Sequence, residues 1–135
     1  MSEAVTGRVE QHRRQRFERL VARALDELPD EVAAMLANVA VVVADEPEPR
    51  HLADWADDGG EAGDLFGLYE GIPQTERDSS YGLVLPDTIT IFRGPLERAF
   101  RSPQAIAREV RITVAHELGH HFGLDEDRLD ELGLA

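Results

Sequence analysis

The sequence predicts a small α+β domain, and three observations carry that reading. An apolar stripe at helical spacing runs through the first thirty residues. Three or four short runs rich in β-branched and aromatic residues follow and make a small, mostly antiparallel or mixed sheet. A long helical pattern, opened by Ser102-Pro103, then runs from 103 to about 122. At 135 residues the chain is expected to form one domain over its whole length, with the sheet packed on the first and the last long helix.

Residues 1–7 read as a disordered lead. From about 8 to 27, Val9, Phe17, Leu20, Val21, Ala24, Leu25 and Leu28 fall largely on one helical stripe. Arg13, Arg14, Arg16, Arg19 and Arg23 lie on the polar side. They could dock an acidic partner, but a solvated face balanced by Glu10, Glu18, Asp26 and Glu27 is the simpler reading. Pro29 ends this helix, and a short second one occupies 30–37. Val39, Val41, Val42 and Val43 then mark a buried strand. Residues 45–64 combine acids, prolines and glycines and read as an acidic, mobile loop. Within it Trp55 either caps the core, the simpler reading, or lines a substrate groove. His51 is a fourth-ligand candidate with no second donor at ligand spacing nearby.

A strand is expected at 65–71 and a loop at 71–82. Two further strands, 83–85 and 88–92, are joined through Pro86-Asp87. Gly94-Pro95 turns the chain into a short helical piece at 96–100. Ser102 is a helix N-cap with Pro103 at the first helical position. On that helix Val110, Val114, Leu118 and Phe122 form the core face, while Glu109, Thr113, His116 and His120 form a separate line. The tail from 127 is one more helical turn, packed by Leu129, Leu132 and Leu134.

The second line carries the chemistry. His116-Glu117-Leu118-Gly119-His120 is an HExxH pattern, with its two imidazoles on one helix face and able to converge on a zinc ion. Glu117 sits about 100° round the helix from His116. It is therefore excluded from direct ligation yet able to act as general base towards a zinc-activated water. His121, about 140° from His116, reads as a core residue or one that supports a ligand from behind. Glu109 reads as a surface acid, or alternatively as a partner for His116. Gly123 can adopt the left-handed conformation that ends a helix and turns the chain back. Glu126 lies at the spacing of the third ligand in HExxHxxGxxH, flanked by Asp125 and Asp127 as competitors.

The segment HELGHHFGLDED resembles the motif of the small bacterial zincin-like metallopeptidases, minimal relatives of the metzincins. The resemblance extends upstream through 24–47, 65–77 and 81–96, and so covers most of the chain outside the N-terminus and the acidic loop. It implies a compact zincin-like α+β fold, a zinc site and peptidase activity. The last ligand position usually reads Asp or His in such motifs, and here it is Glu126. No Met-turn follows, since the methionines are Met1 and Met35.

Composition narrows the partners. There is no cysteine, which excludes disulfides and thiolate ligands, and no run long and apolar enough for a membrane span. A cytoplasmic location is expected, since the N-terminal region also lacks the apolar core of a signal peptide. All fourteen basic residues are arginine, and the net charge of −13 argues against nucleic acid as a partner. The expected function is a zinc-dependent peptidase. His116, His120 and Glu126 hold Zn²⁺, Glu117 is the base, and a peptide or protein substrate lies in an open site along a sheet edge. Tyr69 and Tyr81 are candidates for an oxyanion or substrate contact, though each also fits as a core or loop aromatic; Arg128 is the downstream candidate. The competing reading is a non-catalytic zinc-binding structural or interaction domain, with a fourth protein ligand such as His51 or Asp125 in place of the open position. Purified protein should bind about one zinc by elemental analysis, and His116→Ala or His120→Ala should abolish it, because two remaining ligands hold zinc weakly; full retention in either variant would refute the motif reading.

Overall fold

The computed structural model describes residues 3–57, 65–71 and 86–135. The elements in order are α1 (Glu3–Asp26), α2 (Asp30–Met35), a 3-10 turn (Leu36–Asn38), β1 (Val39–Ala44), α3 (Pro49–Asp57), β2 (Gly67–Glu70), β3 (Asp87–Phe92), α4 (Arg93–Ala99), α5 (Pro103–Phe122) and α6 (Glu126–Glu131). Among the described residues the sheet is three-stranded and mixed, in the order β1-β3-β2, with β1 parallel and β2 antiparallel to β3. Expectations for 58–64, for the strand at 83–85 and for most of the 71–82 loop lie outside the described residues.

Alternation along the strands sorts the apolar side chains to two faces. Ile89 and Ile91 of β3 join Phe17, Val21, Ala24 and Leu28 of α1 and Val110, Val114 and Leu118 of α5 in the main core. Leu68 of β2 and Phe92 of β3 point the other way and meet Leu65 and Trp55. The N-cap expected for α5 is formed, with the Ala105 amide donating to Ser102 Oγ at 3.1 Å and Pro103 opening the helix. Arg111 of α5 reaches Glu27 beside the end of α1 at 3.0 Å.

Several expectations are corrected. The first helix begins at Glu3, so residues 3–7 are helical rather than a disordered lead, and Val9 is exposed. β1 is an outer strand of the described sheet and only half-buried, with Val42 45% exposed. Asp87 opens β3 instead of sitting in a turn. Residues 49–57 of the supposed mobile loop are helical, opened by Pro49. His51 stabilises that opening: the Glu48 amide donates to His51 Nδ1 at 2.9 Å, and His51 Nε2 pairs with Glu70 Oε1 at 3.1 Å. Phe122 is 50% exposed while Val110, Val114 and Leu118 are fully buried, so the core face of α5 stops one turn early.

The end of α5 is where the fold prepares the site. Gly123 takes φ 83°, the left-handed conformation anticipated for it. The amides of Gly123 and Leu124 both donate to Gly119 O, at 2.8 and 2.9 Å. The returning chain lies so close that a Cβ built on Gly119 would stand 2.7 Å from Leu124 O and 3.3 Å from Leu124 Cβ. In sequence Gly119 reads only as a spacer in HExxH, yet its missing side chain is what lets the chain fold back.

These contacts give a paired expectation. Leu118→Ala should cost about 2–5 kcal/mol of unfolding free energy, and Phe122→Ala no more than about 1 kcal/mol, as read by chemical denaturation. Gly119→Ala gains helix propensity of about 1 kcal/mol, but the clash should outweigh it and give a net loss. A stabilised Gly119→Ala protein would mean that the turn yields easily.

Candidate metal centre

One face of α5 opens on a cleft of about 700 Å³. Glu109, Thr113, His116 and His120, the line read from the sequence, all face it, together with Ile112 and Glu117. Trp55 of α3, with Phe66 and Gly67 at the start of β2, forms the opposite wall. A Cβ on Gly67 would stand 2.8 Å from Thr113 Cγ2, so glycine is what lets β2 approach this helix so closely. Leu124, Asp125, Glu126 and Leu129 close the end.

The turn after Gly123 places the acids differently from one another. Asp125 is the N-cap of α6, its Oδ1 accepting from the Arg128 amide at 2.8 Å. Glu126, the next residue, extends towards α5, with Oε1 3.6 Å from His116 Nδ1. Asp127 is exposed and is not among the described residues of the cleft. Arg128 turns away, donating to Glu31 of α2 and to Glu131. Its hydrogen bonds hold the Glu31 carboxyl below the usual carboxylate range.

Two imidazoles and a carboxylate are donors that zinc accepts, and His116, His120 and Glu126 share this cleft with no arginine among its described lining residues. Among the described residues no group of three His, Asp or Glu side chains is drawn together as a finished metal site. His116 and Glu126 make the one close approach seen between these donors, and His120 is exposed. The donor chemistry fits zinc, while the side chains stand open.

Other candidates lie elsewhere. Tyr69 is not among the described cleft residues: its hydroxyl donates to Asp87 Oδ2 and its ring stacks on His121 at 3.8 Å between centroids. His121 is exposed rather than a core residue. Tyr81 lies outside the described residues. His51 is buried, engaged with Glu48 and Glu70, and not among the described cleft residues. Arg128 is held by Glu31 and Glu131. Trp55 both packs on the smaller core and lines the cleft. Glu109, read as a surface acid, is half-buried in the cleft and makes no hydrogen bond or ion pair among the described residues. Phe66 and Gly67 do not stand out in sequence as cleft residues, because an apolar and a small residue beside a strand carry no chemical signature there.

A structure described as a conserved hypothetical protein from Thermo thermophilus is similar to this chain, with 26% identity, 81% of this chain and 92% of that chain covered, and a TM-score of 0.48. No curated protein matches the chain. Residues 36–134, which include all of β1 to α6, match the family described as zincin-like metallopeptidase. The chain belongs to the zincin-like metallopeptidase family.

Proposed function

We propose that this protein is a zinc-dependent peptidase in which His116, His120 and Glu126 hold the metal and Glu117 is the general base. The observation that carries the reading is the presence of all four side chains around one cleft, with Glu126 Oε1 brought to 3.6 Å from His116 Nδ1 by the Gly119–Gly123 turn. The family supports zinc-dependent peptidase chemistry at its own level.

Zinc bound there supplies Lewis acidity, polarising a substrate carbonyl and acidifying water. Glu117 accepts the proton of the water that attacks the carbonyl carbon and passes it to the departing amine. Its position one residue after His116 keeps the carboxylate beside the imidazoles without making it a ligand. Phe66 and Gly67 carry the start of β2 along the cleft wall, and β2 is an outer strand of the described sheet. A peptide laid along that edge in extended form would run past His116 and Glu117. Trp55, Phe66 and Ile112 offer an apolar wall to its side chains.

The competing zinc-binding structural domain needs a fourth protein ligand. Its two candidates are engaged otherwise, Asp125 as a helix cap and His51 with Glu48 and Glu70. This favours a fourth position left to water and substrate. Glu117→Gln keeps the shape of the side chain and removes the base. It should retain zinc while turnover of a peptide library falls about 10²-fold or more. Unchanged turnover would remove Glu117 from the mechanism, and a parent protein that binds zinc but cleaves nothing would favour the structural domain.

A further inference from the structure

Glu126 hangs on α6, a helix of six residues, and something must fix the direction in which that helix faces. Leu129, 2% exposed, anchors α6 in the core, and the Asp125 cap closes its first turn. An apolar anchor is non-directional and leaves the helix free to roll. Arg128 supplies direction. Its Nε donates to Glu31 Oε1 and Oε2 at 3.1 and 3.0 Å, its Nη2 to Glu31 Oε1 at 2.6 Å, and its Nη1 to Glu131 at 2.8 Å. One edge of the planar guanidinium, Nε with Nη2, meets both oxygens of the Glu31 carboxylate while Nη1 takes Glu131, a geometry that holds only one orientation well. Arg128 stands about 200° round the helix from Glu126, while Leu129 stands about 60° from it. Tying Arg128 down on α2 therefore turns Glu126 towards His116.

We infer that the Arg128–Glu31 pair is a positioning device for the metal site, setting zinc affinity by orienting Glu126. The inference rests on the assignment of Glu126 as a ligand in the proposed function. Both partners are well exposed, at 42% and 37%, so the pair contributes little to global stability. Orientation of a ligand by its outer partners is instead expected to appear in metal affinity, at about 10–100-fold.

The test compares the parent, Glu31→Gln, and the exchanged pair Glu31→Arg with Arg128→Glu. The readouts are zinc affinity, measured by competition with a chromophoric chelator, and thermal unfolding of the zinc-free proteins. Glu31→Gln should bind zinc about 10–100-fold more weakly with a zinc-free melting midpoint close to that of the parent. The exchanged pair should recover most of the affinity. Parental affinity in Glu31→Gln would overturn the inference and leave the zinc site standing. A loss of affinity that tracks a loss of stability, or that the exchange fails to restore, would also overturn it, by reducing the pair to a structural tie. A parent protein that takes up no zinc would overturn the zinc assignment itself, and the role of the pair with it.

Discussion

The tightest constraint around the site is the approach of the Leu124 carbonyl to Gly119, where a Cβ would stand only 2.7 Å from that oxygen. Without it the chain leaving α5 could not fold back, and the acids that follow would point into solvent beyond the helix end. The contact requires two glycines for different reasons. Gly119 has no Cβ to block the returning backbone, and Gly123 adopts a positive φ that other residues resist. The two amide hydrogen bonds to Gly119 O then lock the reversal. The reversal brings the start of α6 back to α5, and Glu126 with it to the neighbourhood of His116.

Charge is segregated around that geometry. The described lining of the cleft carries Glu109, Glu117, Asp125 and Glu126 and no arginine. Several arginines elsewhere are tied to carboxylates at the joints between elements. Arg93 links Glu10 of α1, Asp45 after β1 and Glu97 of its own helix, and Arg98 links α4 to Glu46. Arg128 does the same between α2 and α6. Each of these guanidinium groups is satisfied within the chain, so none is drawn into the cleft to compete with a metal for the acids. The excess of acids noted in the sequence thus serves partly as clamps and partly faces the site.

What was legible in the sequence depended on whether the signal was periodic. The stripe Val110, Val114, Leu118 and the line Glu109, Thr113, His116, His120 are both found where the sequence puts them, because helical spacing survives in any environment. Phe122 continues the stripe in sequence but not in the structure, since the helix ends beside it and Tyr69 of β2 stacks on the neighbouring His121, leaving Phe122 half exposed. The helix α3 is hidden because prolines and acids dominate 45–64, and its cap is a histidine that closes back on Glu48, a role residue type alone does not announce. The half-burial of β1 is equally hidden, because a run of valines looks the same in an outer strand as in a central one. Gly119 and Gly67 carry no legible role, since a close approach between distant segments leaves no mark at the position where the side chain is missing.

The third ligand proposed above also explains why so much of the scaffold serves one short turn. His116 and His120 are fixed relative to each other by one turn of a rigid helix. Glu126 has a long side chain, 76% exposed, and ordering such a chain costs up to about 1.5–2 kcal/mol. The same length carries the carboxylate from α6 to within 3.6 Å of His116 Nδ1. Reach and entropy therefore oppose each other at this position. The balance favours binding only if the backbone beneath Glu126 is held still, so that the side chain is the sole part left to order. The Gly119 contact, the Asp125 cap, the burial of Leu129 and the grip of Arg128 on Glu31 all act on that backbone.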